Sequence, residues 1–178
     1  ALPDDFATRL VVLALGTWGG SAMTTASDLD IVFVYAASDS ATQPSNAGAE
    51  GMAHLARHEK STDYLMQSIG THESLPRERE AFEAIAHDVR TALSANASLY
   101  EVDLRLRPMG GAGAVALSCA ALDRYLEQDA AFWERLALTR GRLIYGTETP
   151  TGTHVATMLK RFVYERSLPE SLPNDVRE

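Results

Sequence analysis

Asp28 and Asp30, in the stretch "ASDLDIVFVY" from Ala26 to Tyr35, are the first residues whose types and spacing point to chemistry. Residues two apart on a strand face the same way, so the two carboxylates would stand side by side at the mouth of an apolar strand. Like charges that close repel, and both stay ionised at neutral pH only with something positive between them, for which a divalent cation is the natural choice. Upstream, Gly16, Thr17, Gly19 and Gly20 form a Gly-rich turn after the apolar run Leu10 to Leu15. Glycine turns with φ > 0 at no steric cost and lets backbone N–H groups approach a ligand, and the Thr17 hydroxyl is a further donor to phosphate oxygen. Glycines between strands often only turn the chain. Opposite a two-Asp step the turn gains meaning, because magnesium takes carboxylate oxygens and shares its shell with substrate phosphates.

A third carboxylate, Asp103, lies in "LYEVDLRLRP" from Leu99 to Pro108. The alternation there predicts a strand with Val102, Leu104 and Leu106 on one face and Asp103, Arg105 and Arg107 on the other. Three acids would hold two metal ions about 4 Å apart, clamping the attacking and leaving oxygens of a phosphoryl-type displacement. Arg105 and Arg107 would neutralise phosphate oxygens with a bidentate fork that Lys does not copy. The competing structural readings are a turn or cap for Asp28 and Asp30, and surface ion pairing for Asp103 with Arg105 or Arg107.

Strands are expected at Leu10 to Leu15 and Ile31 to Tyr35, each apolar and bounded by Gly, Ser or Asp. Ala36 to Gly51 has the small, polar composition of a mobile loop, and Met52 to Ile69 permits a helix. Phe82, Ile85, Val89 and Leu93 recur at helical steps over Arg77 to Ala95, with Pro76 suited to the helix start. A short strand is predicted at Ala114 to Ser118, with Ser118 capping a helix through Glu127. Another helix is expected over Ala130 to Tyr145, ended by Gly146, then a tail helix broken at Pro169 and Pro173. The aromatic and Met positions of these later helices are expected in the core. Trp133 and Glu134 read as packing and a structural hydrogen bond, and Cys119 as a buried small residue. His54, His58, His72, His87 and His154 share no metal-ligand spacing and read as exposed.

The 178 residues suffice for one well-packed domain. No run approaches the roughly 20 apolar residues of a membrane span, and Leu10 to Leu15 lacks the basic flank of a signal peptide. A net charge of -8 argues against general nucleic-acid binding. The single cysteine excludes an internal disulfide and fits a reducing cytoplasm. The start at Ala1 and the charged end "NDVRE" read as one domain of a longer protein.

"LGTWGGSAMTTASDLDIVFVY", then "YEVDLRLRPMGGAG" and "FWERLALTRGRLIYG", together resemble the glutamine synthetase adenylyltransferase (glutamate–ammonia-ligase adenylyltransferase) family, within the nucleotidyltransferase superfamily that includes DNA polymerase beta. The likeness runs over residues 10 to 146. It implies an α+β fold of the DNA polymerase beta type: a mixed sheet with flanking helices, a nucleotidyltransferase core over 1–118 and a helical C-terminal extension over 119–178, within a longer bifunctional protein. It carries Asp28, Asp30 and Asp103 over as the catalytic, metal-binding acids, and Gly16, Thr17, Gly19, Gly20, Ser27, Arg105 and Arg107 as the nucleotide-binding set. Mg2+, in two copies, and ATP would be the cofactor and substrate. Glutamine synthetase would be the protein substrate, with AMP placed on a tyrosine, and the PII signalling protein a regulator of the full-length enzyme. The deadenylylating half, which removes AMP with phosphate to give ADP, and a non-catalytic nucleotide sensor are the alternatives. "YEVDLRLRP" leans to the attaching half and "WER" (Trp133 to Arg135) to the removing half. The family's turn usually reads Gly-Lys-Leu-Gly-Gly-x-Glu, whereas Thr17 stands here at the Lys position and Ala22 at the Glu position.

Overall fold

The apolar runs at Leu10 and Ile31 become the two central strands because each is covered on both sides. A computed structural model describes residues 5–38, 76–96, 100–108 and 110–167. A one-turn helix, α1 (Phe6–Arg9), leads into β1 (Leu10–Ala14), a helical turn α2 (Gly16–Gly19) and β2 (Leu29–Tyr35). The long helix α3 (Pro76–Asn96), β3 (Val102–Asp103), β4 (Ala116–Ser118) and α4 (Cys119–Gln128) follow. The described residues continue with α5 (Phe132–Leu138), β5 (Arg142–Tyr145), α6 (Pro150–Lys160) and a π-helical turn over Arg161–Glu165.

The sheet is mixed. β1 pairs antiparallel with β2 and with β5, whereas β3 and β4 both run parallel to β2, β3 beside its first residues and β4 beside its last. Odd and even positions of β1 and β2 feed separate cores. Val11, Leu13, Val32, Val34 and Leu117 pack with Leu122, Leu126, Val155, Met158 and Phe162 from α4, α6 and the π turn. Leu10, Val12, Leu29, Ile31, Phe33 and Tyr35 pack on Phe6 and on Phe82 and Ala86 of α3. Burial on both faces explains why these strands read as continuous apolar runs rather than alternating ones.

The expected α3 is borne out, with Phe82 and Ala86 fully buried and Ile85, Val89 and Leu93 partly so. Ser118 caps α4 as predicted, its hydroxyl accepting from the Ala121 amide at 3.1 Å. Two expectations are corrected. Among the described residues of the predicted strand only Val102–Asp103 are in the sheet, and the chain turns after Leu104. That turn separates Leu104, in the α3-side core, from Leu106, which packs on the opposite side, so the alternation does not persist. The helix expected over Ala130–Tyr145 stops at Leu138, and Arg142–Tyr145 form a strand on β1. Gly146, at φ +73°, ends that strand rather than a helix, and a Cβ there would overlap the Leu10 carbonyl.

The later aromatics are not all core. Trp133 is 60% and Tyr164 70% exposed, while Leu136, Tyr145 and Ile144 are also exposed. Pro169 and Pro173, the loop beyond Ser38, the helix expected at Met52–Ile69, and His54, His58 and His72 lie outside the described residues. His87 and His154 are exposed as expected. Among the described residues no helix is long and apolar enough to cross a membrane.

Phe82 stacks between Phe6 and Tyr35, with ring centroids 3.7 and 4.1 Å away. An ion pair between Arg9 and Glu78 fastens the start of the same helix to the start of β1. Phe82→Ala therefore removes the ring that joins α3 to the sheet, and equilibrium urea unfolding should show a loss of roughly 3–5 kcal/mol.

Candidate functional site

Asp30, Val32 and Val34 occupy alternate positions of β2 and share its face, and Asp28 lies just before the strand. Further along, that face is covered by α4 and α6, but at its first residues it opens, so Asp28 is exposed and Asp30 half-buried. The parallel pairing of β3 sets Asp103 directly beside Asp30. The sequence placed these residues on two separate strands, and the structure makes them neighbours.

The turn after β1 closes the other side. Leu15 donates its amide to the Asp30 carbonyl at 2.9 Å, which ties the end of β1 to the acid strand. Gly16 then adopts φ +55° against the Asp30 carboxylate so closely that a Cβ would overlap Oδ2. Both the conformation and the space demand glycine. Gly19 is equally confined, by the carbonyls of Ala14 and Arg140. The amides of Gly19, Gly20, Ser21 and Ala22 donate to Leu15, Gly16, Trp18 and Thr17 within the turn. The cradle expected from Gly16 to Gly20 is thereby narrower than its sequence, since Gly19 and Gly20 contribute space rather than free donors.

Ser27 is buried, and its hydroxyl accepts from the Thr24 amide at 2.9 Å. It shapes the approach to Asp28 and does not face an open site. Arg105 and Arg107, expected together on the Asp103 face, part company. Arg105 chelates Asp103, Nε donating to both carboxylate oxygens at 3.0 and 2.9 Å and Nη2 to Oδ2 at 2.7 Å, while its amide adds a bond of 2.7 Å to Oδ1. Its side chain is 76% exposed against 12% for Asp103. Arg107 is buried and spends its guanidinium on the carbonyls of Leu104, Gly111 and Gly113. It holds the 104–113 loop in shape, and its burial lowers its own proton affinity.

The charges are unevenly matched. Burial first, then the neighbouring Asp103 and Asp28 carboxylates, raises the Asp30 pKa, with Arg105 offsetting part of the effect. The hydrogen bonds from Arg105 hold Asp103 below the usual carboxylate range. One acid already has a cation and its neighbour lacks one. Among the described residues no three carboxylate, imidazole or thiolate groups stand together closely enough to hold an ion. The oxygen donors are of the kind magnesium takes, but their grouping is that of a coupled pair, Asp30 with Asp103, and an outlying Asp28.

The segment "FWER" serves the fold. Glu134 accepts from the Tyr125 hydroxyl at 2.5 Å and the Ala131 amide at 2.8 Å, as expected of a structural hydrogen bond. Arg135 is buried and donates to the carbonyls of Val163, Arg166 and Ser167. Trp133, although exposed, lines a cavity of about 30 Å³ with Leu15, Val32, Leu106 and Pro108. Burial pushes the Cys119 thiol up to about 11, so it is an inert residue rather than a nucleophile.

Two residues beside the turn escaped the sequence reading. Arg140 lies just before β5, with Cδ and Cγ 3.5 and 3.6 Å from where a Cβ on Gly20 would stand. Arg142 pairs across the sheet with Ala14 and donates from Nη2 to the Trp18 carbonyl at 3.1 Å. The signal for β5 was present, because Gly141 and Gly146 bracket a four-residue run of strand length.

A family model described as glutamate-ammonia ligase adenylyltransferase matches residues 66–156. Among curated relatives, the bifunctional glutamine synthetase adenylyltransferase/adenylyl-removing enzyme of Stenotrophomonas maltophilia (strain K279a) is 31% identical over 179 residues, 99% of this chain and 16% of its own length. The protein of the same name from Xanthomonas oryzae pv. oryzae is 31% identical over 175 residues, 98% of this chain and 16% of its own. That of Neisseria meningitidis serogroup A is 28% identical over 170 residues, 96% of this chain and 16% of its own. These matches define a class of adenylyl-transferring enzymes. The chain belongs to the glutamate-ammonia ligase adenylyltransferase family and spans about one-sixth of the length of the curated relatives it matches.

Asp30 supplies a test of the site's electrostatics. A carboxyl whose folded pKa is raised binds protons more readily folded than unfolded, so stability falls as pH rises from the unfolded value of about 4 through the raised one. Asp30→Asn abolishes that loss. Thermal melts should show Tm higher by about 2 °C at pH 7, a modest shift because the group is partly solvated, and no gain below about pH 4.

Proposed function

We propose that this chain is a nucleotidyltransferase domain of the DNA polymerase beta type that attaches AMP from ATP to a tyrosine of glutamine synthetase. The observation that carries the reading is the parallel register that sets Asp30 beside Asp103, with Gly16 pressed against the Asp30 carboxylate. Two hard carboxylates at the edge of a glycine turn suit a triphosphate accompanied by magnesium. The names of the relatives supply the acceptor.

In this reading Asp30 and Asp103, with Asp28 at the open edge, hold the cations. Bound there, magnesium would lower the charge on the phosphates and steady the leaving pyrophosphate. The turn at Gly16 and Thr17 lets the polyphosphate approach the end of β1. The tyrosyl oxygen bonds to the α-phosphorus as the bond to the bridging oxygen of pyrophosphate breaks. Its proton passes to a carboxylate, for which Asp103 is our candidate. Asp103 can serve only after Arg105 turns away from it, and Arg105 is exposed enough to do so and engage phosphate instead. Positioning and electrostatics would supply most of the rate. The PII signalling protein as regulator, two magnesium ions and a cytoplasmic site of action belong to the same proposal.

Two observations favour a second reading. The described acids do not group as a three-ligand centre, and Thr17 and Ala22 replace the family's Lys and Glu, both compatible with a domain that senses nucleotide without turnover.

The deciding experiment incubates the protein with glutamine synthetase, Mg2+ and α-labelled ATP, with adenylylated synthetase plus phosphate run in parallel. Label should move to the synthetase, and Asp30→Asn or Asp103→Asn should reduce transfer by at least about a hundredfold. ADP released from the modified synthetase instead would assign the removing reaction. ATP binding with neither product would leave the sensor.

A further inference from the structure

The Gly16–Gly20 turn separates charges of opposite sign. Its first glycine touches the Asp30 carboxylate, and its last lies along the aliphatic stem of Arg140. Three features fix the positive side. The antiparallel pairing of β5 with β1 brings Arg142 opposite Ala14, next to the turn's start. The Arg140 carbonyl packs where Gly19 has no side chain. The bond from Arg142 to the Trp18 carbonyl ties the strand to the turn itself. Arg140 is exposed, and among the described residues its guanidinium has no hydrogen-bond or ion-pair partner. Of the two arginines expected at phosphate, Arg107 is held by loop carbonyls, and Arg105 clasps Asp103 on the acid side of the turn.

We propose that Arg140, supported by Arg142, is an anion-binding subsite for the terminal phosphates of a nucleoside polyphosphate, delivered to the turn from β5. The inference rests on the nucleotide reading above and adds residues and a direction to it. A polyphosphate with its cation presents two kinds of surface. The cation requires carboxylate oxygens, found on the Gly16 side, and the phosphate oxygens beyond it require donors and positive charge, found on the Gly20 side. Thr17 carries no charge, so the turn cannot supply that charge itself. A guanidinium meets two phosphate oxygens at once with paired donors. Arg142, already bonded to the turn, orients the strand and adds long-range attraction.

Calorimetric titration of the protein with ATP, AMP and adenosine tests this, using wild type, Arg140→Ala and Arg140→Lys at two salt concentrations, with and without Mg2+. Circular dichroism would establish that the variants fold, as expected for an exposed side chain. Arg140→Ala should weaken ATP binding about tenfold, leave adenosine unchanged, and flatten the dependence of ATP affinity on salt. Arg140→Lys should recover part of the loss. Wild type and Arg140→Ala binding ATP equally would overturn the subsite and leave the nucleotide reading standing. An equal loss for adenosine would overturn it in favour of a structural role. A wild type that binds none of the three would remove the nucleotide reading, and the subsite with it.

Discussion

Two carboxylates forced side by side are the constraint on which the rest of the site turns. The parallel register of β2 and β3 sets Asp30 against Asp103, and a pairing of like charges on adjacent strands is unfavourable unless something offsets it. The chain offsets half of it, through the clasp of Arg105 on Asp103, and leaves Asp30 without a cation of its own. Sheet pairing, the glycine turn and the covered apolar faces all bear on keeping that arrangement in place. The strand cannot slip by one residue, because that would carry the acids from the open start of their own face to the opposite one, where Leu29 and Ile31 lie in the α3-side core.

Glycine has two different uses within a few residues. At Gly16 the left-handed backbone and the close carboxylate leave no room for another residue, so the turn and the acid strand are shaped to each other. At Gly19 the need is only for close approach of two backbones, from β1 and from the segment that starts β5. The turn is thus a joint between the first and the fifth strand as much as a candidate ligand cradle, and its geometry depends on residues far away in sequence.

Much of this was legible in the residues. The apolar runs gave both central strands, the helical spacing of Phe82, Ile85, Val89 and Leu93 gave α3, and Ser118 gave a cap. The two-residue spacing of Asp28 and Asp30 pointed to an acid face, of which Asp30 stands in β2 and Asp28 lies just before it. What failed was local pattern against long-range pairing. "VDLRLRP" alternates like a strand, yet only two of its residues find a partner, because Arg107 is drawn inward to bind the carbonyls of its own loop. "RLIY" followed a helical segment and was absorbed into it, although an open edge of β1 was waiting for it. The grouping of Asp103 with Asp28 and Asp30 was argued from their chemistry and supported by family likeness, and no spacing within either segment could have given the register of Asp30 with Asp103. Arg140 shares that history, since its place is set entirely by a pairing between opposite ends of the chain.

That pairing also orders events in time. β1 and β2 are close in sequence and can form an antiparallel pair early, but Val12 meets Tyr145 only after most of the chain exists. Contacts of such separation close late and slow the search for the native state. During synthesis the edge of β1 would stay uncovered until β5 leaves the ribosome, an interval in which an unpaired strand is open to the wrong partner. The arrival of β5 therefore covers that edge of β1 and brings Arg140 to the turn in the same step, so the two sides of the site are assembled only once that edge is safe.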